Sequence, residues 1–182
     1  MKKYIGLVLV ALSGCILTVN AQQSFSYKNP LLPTEVRVNG LLDQMTLEEK
    51  IAQIRHLHSW DVFDGQVLNQ EKLDKMCGGI GYGFFEGFPL TAASCRKTFR
   101  EIQTYMVEKT RLGIPGFPVA ESLHGVVHEG TTIYPQNIAM GSTFNPELAY
   151  EKTKHIAGEL NTMGVKQVLA PCIDVVRDLR WF

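Results

Sequence analysis

The chain has 182 residues, of which 45% are hydrophobic and 20% are charged, and its formal net charge is zero. This is the composition of an ordinary globular protein and does not fit a disordered chain. The charge balance and the lack of a basic run argue against a nucleic-acid-binding protein.

The N-terminus has the pattern of a secretory signal peptide. Lys2 and Lys3 precede an apolar stretch, and Ala21 offers a small-residue cleavage point. The apolar stretch is shorter than the roughly 20 residues that a membrane-spanning helix needs. We therefore expect residues 1–21 to be a signal peptide and the mature chain to be periplasmic or extracellular.

One cysteine, near the N-terminus, suggests an alternative to cleavage after Ala21, and the other cysteines suggest no disulfide or metal site. "LSGC", ending at Cys15, resembles a lipoprotein box, so a lipid anchor on Cys15 is the alternative and the only membrane association expected. The apolar "ILTV" that follows favours cleavage after Ala21 instead. The remaining Cys77, Cys95 and Cys172 are odd in number and lack C-x-x-C spacing, which predicts free buried thiols.

The first half of the mature chain contains one clear helix signal. We interpret Tyr27–Val38 as an extended lead. "MTLEEKIAQI" then predicts a helix, because Thr46 can cap its first turn and Glu49 can reach back in a capping box. The glycine-rich, aromatic stretch Gly78–Gly87 predicts a short strand or a buried loop.

The second half alternates helix and strand signals. A helix over about Thr91–Thr110 is predicted by an apolar stripe at helical spacing: Cys95, Phe99, Ile102 and Met106. A short strand ends at Glu121. The next helix begins after Asn145 with Pro146 at its first position and ends at Gly164, and "KQVLAPCID" predicts a further strand.

This alternation is typical of a parallel α/β sheet, in which ligands bind beyond the carboxyl ends of the strands. Polar residues stand at those ends: Glu121 and His124 after one strand, and Asp174, Arg177 and Asp178 after another. A complete (β/α)8 barrel takes about 250 residues. The chain supplies three or four strand–helix units and stops just past a strand, so we expect the front of a larger domain.

The polar residues allow more than one interpretation. His124 and His128 are four apart, but glycines and valines around them disfavour the helix that a zinc site of this spacing needs, so no metal is predicted. Glu121 and Arg177 could bind the hydroxyls of a sugar. A structural ion pair between Glu121 and Arg177 explains their presence as well as sugar binding does. A single histidine such as His124 is more often a hydrogen-bonded core residue. For Asp178, a local ion pair with Arg180 is favoured.

Longer motifs carry a resemblance. "LGIPGFPVAESLHGVVHEGTTIYPQNIAMGSTFNPEL", followed by "IAGELNTMGVKQVLAPCIDVVRDLRW", resembles family 3 glycoside hydrolases. "MTLEEKIAQI" is similar to the opening helix of that family, and the ordered match covers most of the mature chain. Two positions depart from the family: Leu179 stands where Pro is usual, and Phe182 where Gly is usual.

The resemblance implies an α/β fold that is the N-terminal portion of a TIM-like (β/α)8 barrel, with residues 22–182 as an incomplete barrel domain. It implies exo-acting, retaining hydrolysis of a terminal β-linked sugar, with no cofactor and with an oligosaccharide or glycoside as partner. By the family's motifs, Glu121 and Arg177 hold hydroxyls of the sugar, and four further residues shape the pocket: His124, Asp178, Arg180 and Trp181.

Retaining hydrolysis needs two carboxylates about 5 Å apart. The resemblance implies that the nucleophile and the acid/base lie beyond residue 182, so we name no catalytic residue and expect this chain alone to be inactive. The resemblance also implies a β-xylosidase, because many glucosidases of the family have Asp at the position of Glu121, whereas Glu is more typical of xylosidases and arabinosidases. The physical reason is reach: the extra methylene brings the carboxylate into space that a hexose hydroxymethyl would occupy. A β-glucosidase and a non-catalytic exported sugar-binding remnant are the alternatives.

Overall fold

The computed structural model describes residues 26–86, 91–172 and 177–178, in two compact units, Met1–Lys50 and Ile51–Phe182. Some predictions lie outside these ranges: the signal peptide, Cys15, Asp174, Leu179, Arg180, Trp181 and Phe182. None of the helices in the described ranges is both long and apolar enough to cross a bilayer.

A helix lies in the first unit where the sequence predicted extended chain. After a 3-10 turn, Ser26–Lys28, helix α1 spans Thr34–Leu42. The extended interpretation of Tyr27–Val38 is therefore wrong from Thr34 onward. Pro33 precedes the helix at φ −54°, and Pro is well tolerated at helix starts because the amide it lacks would have no helical partner there.

The predicted capping box is confirmed at the start of α2, Leu47–Ala52. The Glu49 amide donates to the Thr46 hydroxyl at 3.3 Å, and the Thr46 amide donates to a Glu49 carboxylate oxygen at 2.8 Å. Two amides that a helix start leaves unpaired are thereby satisfied.

The second unit begins with short elements that the sequence analysis did not predict: β1 (His56–His58), α3 (Ser59–Val62), the antiparallel pair β2 (Phe63–Asp64) and β3 (Val67–Leu68), and α4 (Gln70–Cys77). Helix α4 carries signals at both ends. The Asn69 side chain accepts from the Lys72 amide at 3.0 Å, and Gly78 ends the helix in the left-handed conformation.

The remaining elements are β4 (Phe84–Glu86), α5 (Ala92–Lys109), β5 (Phe117–Glu121), α6 (Asn137–Gly141), α7 (Pro146–Met163) and β6 (Gln167–Leu169). They follow the predicted alternation, except that the short helix α6 lies in what was predicted to be a connection. The predicted ends of α7 are confirmed. The Asn145 side chain accepts from the Leu148 amide at 3.0 Å, and Gly164 follows the helix at φ 94°.

Four strands form one parallel sheet in the order β1–β4–β5–β6. The predicted α/β class is confirmed, and the sheet with its crossover helices is part of a TIM-like barrel wall. The predicted stripe of α5 is buried against this sheet: Cys95, Phe99, Ile102 and Met106 all belong to the core.

The strands alternate between two environments because successive side chains point to opposite faces. Leu57 and Phe85 lie opposite each other in β1 and β4, and both are fully buried in the core beneath the helices. The residues on either side of them point to the other face, which we call the inner face. His56 and Phe84 stack there with ring centroids 5.1 Å apart.

Candidate functional site

A cavity of about 290 Å³ lies at the carboxyl ends of β1, β4 and β5. Its polar lining in the described ranges consists of His58, Glu86, Glu121 and His128. Parallel α/β sheets bind ligands beyond the carboxyl ends of their strands. The volume is at the lower end of the range of about 300–1,000 Å³ for small-molecule sites, which suits one compact ligand unit.

Glu121 is the last residue of β5, and its side chain is exposed at this cavity. Its backbone lies opposite Leu169 of β6. Among the residues that the structure describes, no donor or cation pairs with its carboxylate. An ionised carboxylate can accept hydrogen bonds at both oxygens. Within the described part of the chain, this acceptor is therefore open to a ligand.

His124 closes the loop that follows β5. Its Nδ1 lies 2.9 Å from the Tyr134 carbonyl oxygen, and the Tyr134 amide donates to the His124 carbonyl at 2.8 Å. Because a carbonyl oxygen only accepts, Nδ1 carries the hydrogen and donates it. The structure thus gives His124 a structural hydrogen bond and leaves Nε2 as the ring's remaining polar atom.

Gly125 makes the tight turn of this loop possible. Its φ is +110°, and an added Cβ would lie 2.4 Å from the Thr132 carbonyl oxygen. Only a residue without a side chain fits such a backbone position without strain. The loop comes this close to itself directly beside the His124–Tyr134 pair.

Helix α7 anchors the far end of the same loop. The buried ammonium of Lys152 donates to the Pro135 carbonyl at 3.2 Å and to the Asn137 side-chain oxygen at 2.7 Å. Glu159 accepts from the Thr132 amide at 3.2 Å and from its hydroxyl at 2.6 Å. Hydrogen bonds with one charged partner are the stronger kind, so the loop is fixed to the helix at two points.

Arg177 and Asp178 are both exposed and follow β6 in the chain. Between the described side chains of Glu121 and Arg177 there is no ion pair. The grouping of Glu121, His124, Arg177 and Asp178 around one ligand stays a prediction.

A second cluster of side chains, not predicted from the sequence, lies at the cavity. The Glu86 Oε1 lies 3.0 Å from the His56 Nδ1 and 3.3 Å from the His58 Nδ1. Trp60 stacks on His58 with ring centroids 4.4 Å apart and planes 7° apart. The signal was the alternation in "HLH", where two polar rings flank the buried Leu57, as in a strand with one polar face.

Cys95 also borders the cavity, but as an inert group. It is 1% exposed, and burial raises the pKa of its thiol to about 11. A thiol of this pKa carries almost no thiolate near neutral pH and is a poor nucleophile. Across the described ranges, no three side chains of His, Cys, Asp or Glu converge as metal ligands.

The fold and the cavity together define a class. A cavity lined by carboxylates and an exposed aromatic ring lies at the carboxyl ends of the strands of a parallel α/β barrel wall, which is the place where domains of this class bind small ligands. The family model of the glycosyl hydrolase family 3 N terminal domain matches residues 46–182, so the chain belongs to this family.

Two relatives are similar to this chain over most of its length. A Formosa agariphila protein named "Putative beta-xylosidase" is 32% identical over 164 residues, which are 87% of this chain and 22% of that protein. A periplasmic β-glucosidase of Salmonella typhimurium is 28% identical over 181 residues, or 98% of this chain and 22% of that protein. The chain thus spans about a fifth of the length of these relatives.

A solved structure has the same fold. The structure of a β-glucosidase from Erythrobacter marinus matches with a TM-score of 0.71 and 28% sequence identity. The match covers 87% of this chain and 21% of that structure.

Proposed function

We propose that the chain supplies the sugar-binding site of an exo-acting, retaining β-glycosidase. The observation that supports this most directly is Glu121, whose carboxylate has no partner among the described residues and borders a cavity of about 290 Å³ at the end of β5. A carboxylate accepts hydrogen bonds from vicinal hydroxyls, and a cavity of this size suits one sugar ring. Membership in a glycosyl hydrolase family supports the same ligand class.

The other predicted residues have complementary roles in this proposal. Arg177 donates hydrogen bonds to hydroxyl oxygens of the same sugar, because a guanidinium offers five donors in a fixed plane. His124 shapes the pocket through the loop that its bond to Tyr134 closes. Asp178 contributes to the pocket wall beside Arg177.

The sugar that we propose is a terminal β-linked xylose. The relatives divide between β-xylosidases and β-glucosidases, so their names alone do not choose between pentose and hexose. The length of the Glu121 side chain favours the pentose, since its carboxylate would reach the space of a hexose hydroxymethyl group. A β-glucosidase is the alternative.

We propose no nucleophile and no acid/base among the residues of this chain, and we expect it alone to bind sugar without cleaving it. We also propose that residues 1–21 direct export and that residues 22–182 are part of a barrel domain. The periplasmic relative from Salmonella supports export.

The test is sugar binding by the 182-residue chain. Saturation-transfer NMR with methyl β-xyloside should detect binding to the unmodified chain, and Glu121→Gln should weaken it at least about tenfold, because hydrogen bonds to a charged acceptor contribute about 1.5–3 kcal/mol. Glu101→Gln is the matched control, since Glu101 lies on the outer helix α5, pairs with Lys97 at 3.8 Å and is not part of the cavity lining. Equal affinity in the two variants would contradict the assignment of Glu121.

A further inference from the structure

The strand register places Glu86 one layer below Glu121 on the inner face. His58 lies opposite Glu86, and the register of β4 against β5 puts Glu86 level with Val119. Glu121 is two residues further along β5, on the same face. With strands about 4.8 Å apart and a rise of about 3.3 Å per residue, the two Cα atoms lie roughly 8 Å apart. A single sugar ring can therefore contact both carboxylates.

Glu86 makes its described contacts at one carboxylate oxygen. Both histidine contacts, at 3.0 and 3.3 Å, are made to Oε1. Among the described residues nothing hydrogen-bonds to Oε2. Its side chain is 21% exposed, at the cavity. The closer contact, with His56, restrains the carboxylate, whereas the His58 Nδ1 lies near it without forming a hydrogen bond. A carboxylate restrained in this way loses less freedom on binding, so its other oxygen is a pre-organised acceptor.

Trp60 completes this wall of the cavity. One face of the indole is covered by His58, whereas 68% of the residue remains exposed. Trp60 lines the same cavity as Glu86 and Glu121. The face of an indole is electron-rich and attracts the C–H groups that line one side of a sugar ring.

We propose that Glu86 and Trp60 form a second sugar-binding wall, in which the Glu86 Oε2 accepts a hydroxyl hydrogen bond and the open face of Trp60 packs against the ring that Glu121 holds. The two histidines act as positioning residues: His56 orients the carboxylate, and His58 supports the indole. This inference rests on the proposed function, because it concerns the same ligand in the same cavity.

The first test follows Trp60 directly in the unmodified chain. The chain has two tryptophans. Labelling with 5-fluorotryptophan gives each a ¹⁹F resonance, and Trp60→Phe identifies which one belongs to Trp60. Xylose or methyl β-xyloside should shift the Trp60 resonance, and the shift should saturate at the same sugar concentrations as the binding signal in ligand-observed NMR. A resonance that stays in place while the sugar binds would overturn the role of Trp60.

The second test compares variants for affinity. We expect Glu86→Gln to weaken methyl β-xyloside binding about five- to tenfold, since Gln keeps an acceptor but loses the charge. Trp60→Ala should weaken it roughly two- to tenfold. Glu101→Gln and Tyr150→Ala are the controls, because both residues are exposed on helices away from the cavity. Far-UV circular dichroism checks that each variant folds.

The outcomes separate the two proposals. If Glu121→Gln loses binding while Glu86→Gln and Trp60→Ala bind as the controls do, the second wall is refuted and the proposed function stands. If the unmodified chain binds no xyloside, the proposed function fails and the second wall fails with it. Should Glu86→Gln not fold, the ¹⁹F shift in the unmodified chain still decides the matter for Trp60.

Discussion

Gly125→Ala tests whether the turn after β5 needs a residue without a side chain. Gly125 has a φ of +110°, and a Cβ there would lie 2.4 Å from the Thr132 carbonyl oxygen. The substitution therefore adds both backbone strain and a steric overlap. It places them beside the hydrogen bonds between His124 and Tyr134, which close the loop at 2.8 and 2.9 Å.

The magnitude follows from these two effects. A non-glycine residue in a sparsely populated φ region costs about 1–3 kcal/mol, and overpacking costs about 1–3 kcal/mol. The loop can relieve the overlap by moving Thr132, but this pulls on the bonds of Thr132 to Glu159. We expect the free energy of unfolding to fall by about 2–4 kcal/mol, less than the full sum because the loop yields in part.

The assay is urea unfolding followed by circular dichroism, with Gly158→Ala as the control. Gly158 lies in the interior of α7, and an added Cβ there meets nothing within 4 Å. Gly158→Ala should raise the free energy of unfolding by up to about 1 kcal/mol through helix propensity. Amide hydrogen exchange at Tyr134 reports loop opening separately. Surface substitutions usually change the free energy of unfolding by no more than about 0.5 kcal/mol. If Gly125→Ala changes it by no more than that and the Tyr134 amide stays protected from exchange, the reasoning is refuted.

Three further changes have defined outcomes. Asn145→Ala should lower the free energy of unfolding by about 1 kcal/mol in urea, because it removes the cap of α7. Burial raises the pKa of the Cys77 thiol to about 12 and that of Cys95 to about 11, so the unfolded chain ionises first as pH rises. Stability should therefore fall above about pH 9, by up to about 1.4 kcal/mol per pH unit for each thiol, and alanine at both positions should flatten that slope. Glu121→Asp should shift the ratio of xyloside to glucoside affinity toward the glucoside in the NMR titration, and an unchanged ratio would count against the reach argument.

The longer elements could be predicted because their signals are local. Helix α5 has an apolar stripe that repeats over its length, and helix α7 has a capping residue at its start and a glycine at its end. The structure contains both helices. Helix α1 was missed because Pro33 was taken as a mark of extended chain, although Pro also suits the start of a helix. Strands of two or three residues, such as β1 (His56–His58), are too short for alternation to stand out.

The site residues that lie within one sequence motif could be predicted, whereas those that two distant segments bring together could not. Glu121 stood out because it ends a strand within a recognisable motif. Glu86 and His58 are 28 positions apart in the sequence and become neighbours only through the pairing of β1 with β4. No local pattern reports such a pairing, since it depends on how the intervening hairpin and α4 pack.

The same strand register that builds the core also sets the cavity. Because side chains alternate, a slip of one residue between β1 and β4 would exchange buried Phe85 for Glu86 on the core face. A close backbone approach opposes such a slip: the Gly83 amide donates to the Ala52 carbonyl at 3.1 Å, and an added Cβ at Gly83 would lie 1.8 Å from the Gln53 carbonyl oxygen. Only glycine fits there, so the packing at the start of β4 determines that a carboxylate, and not a phenyl ring, faces the cavity at its end.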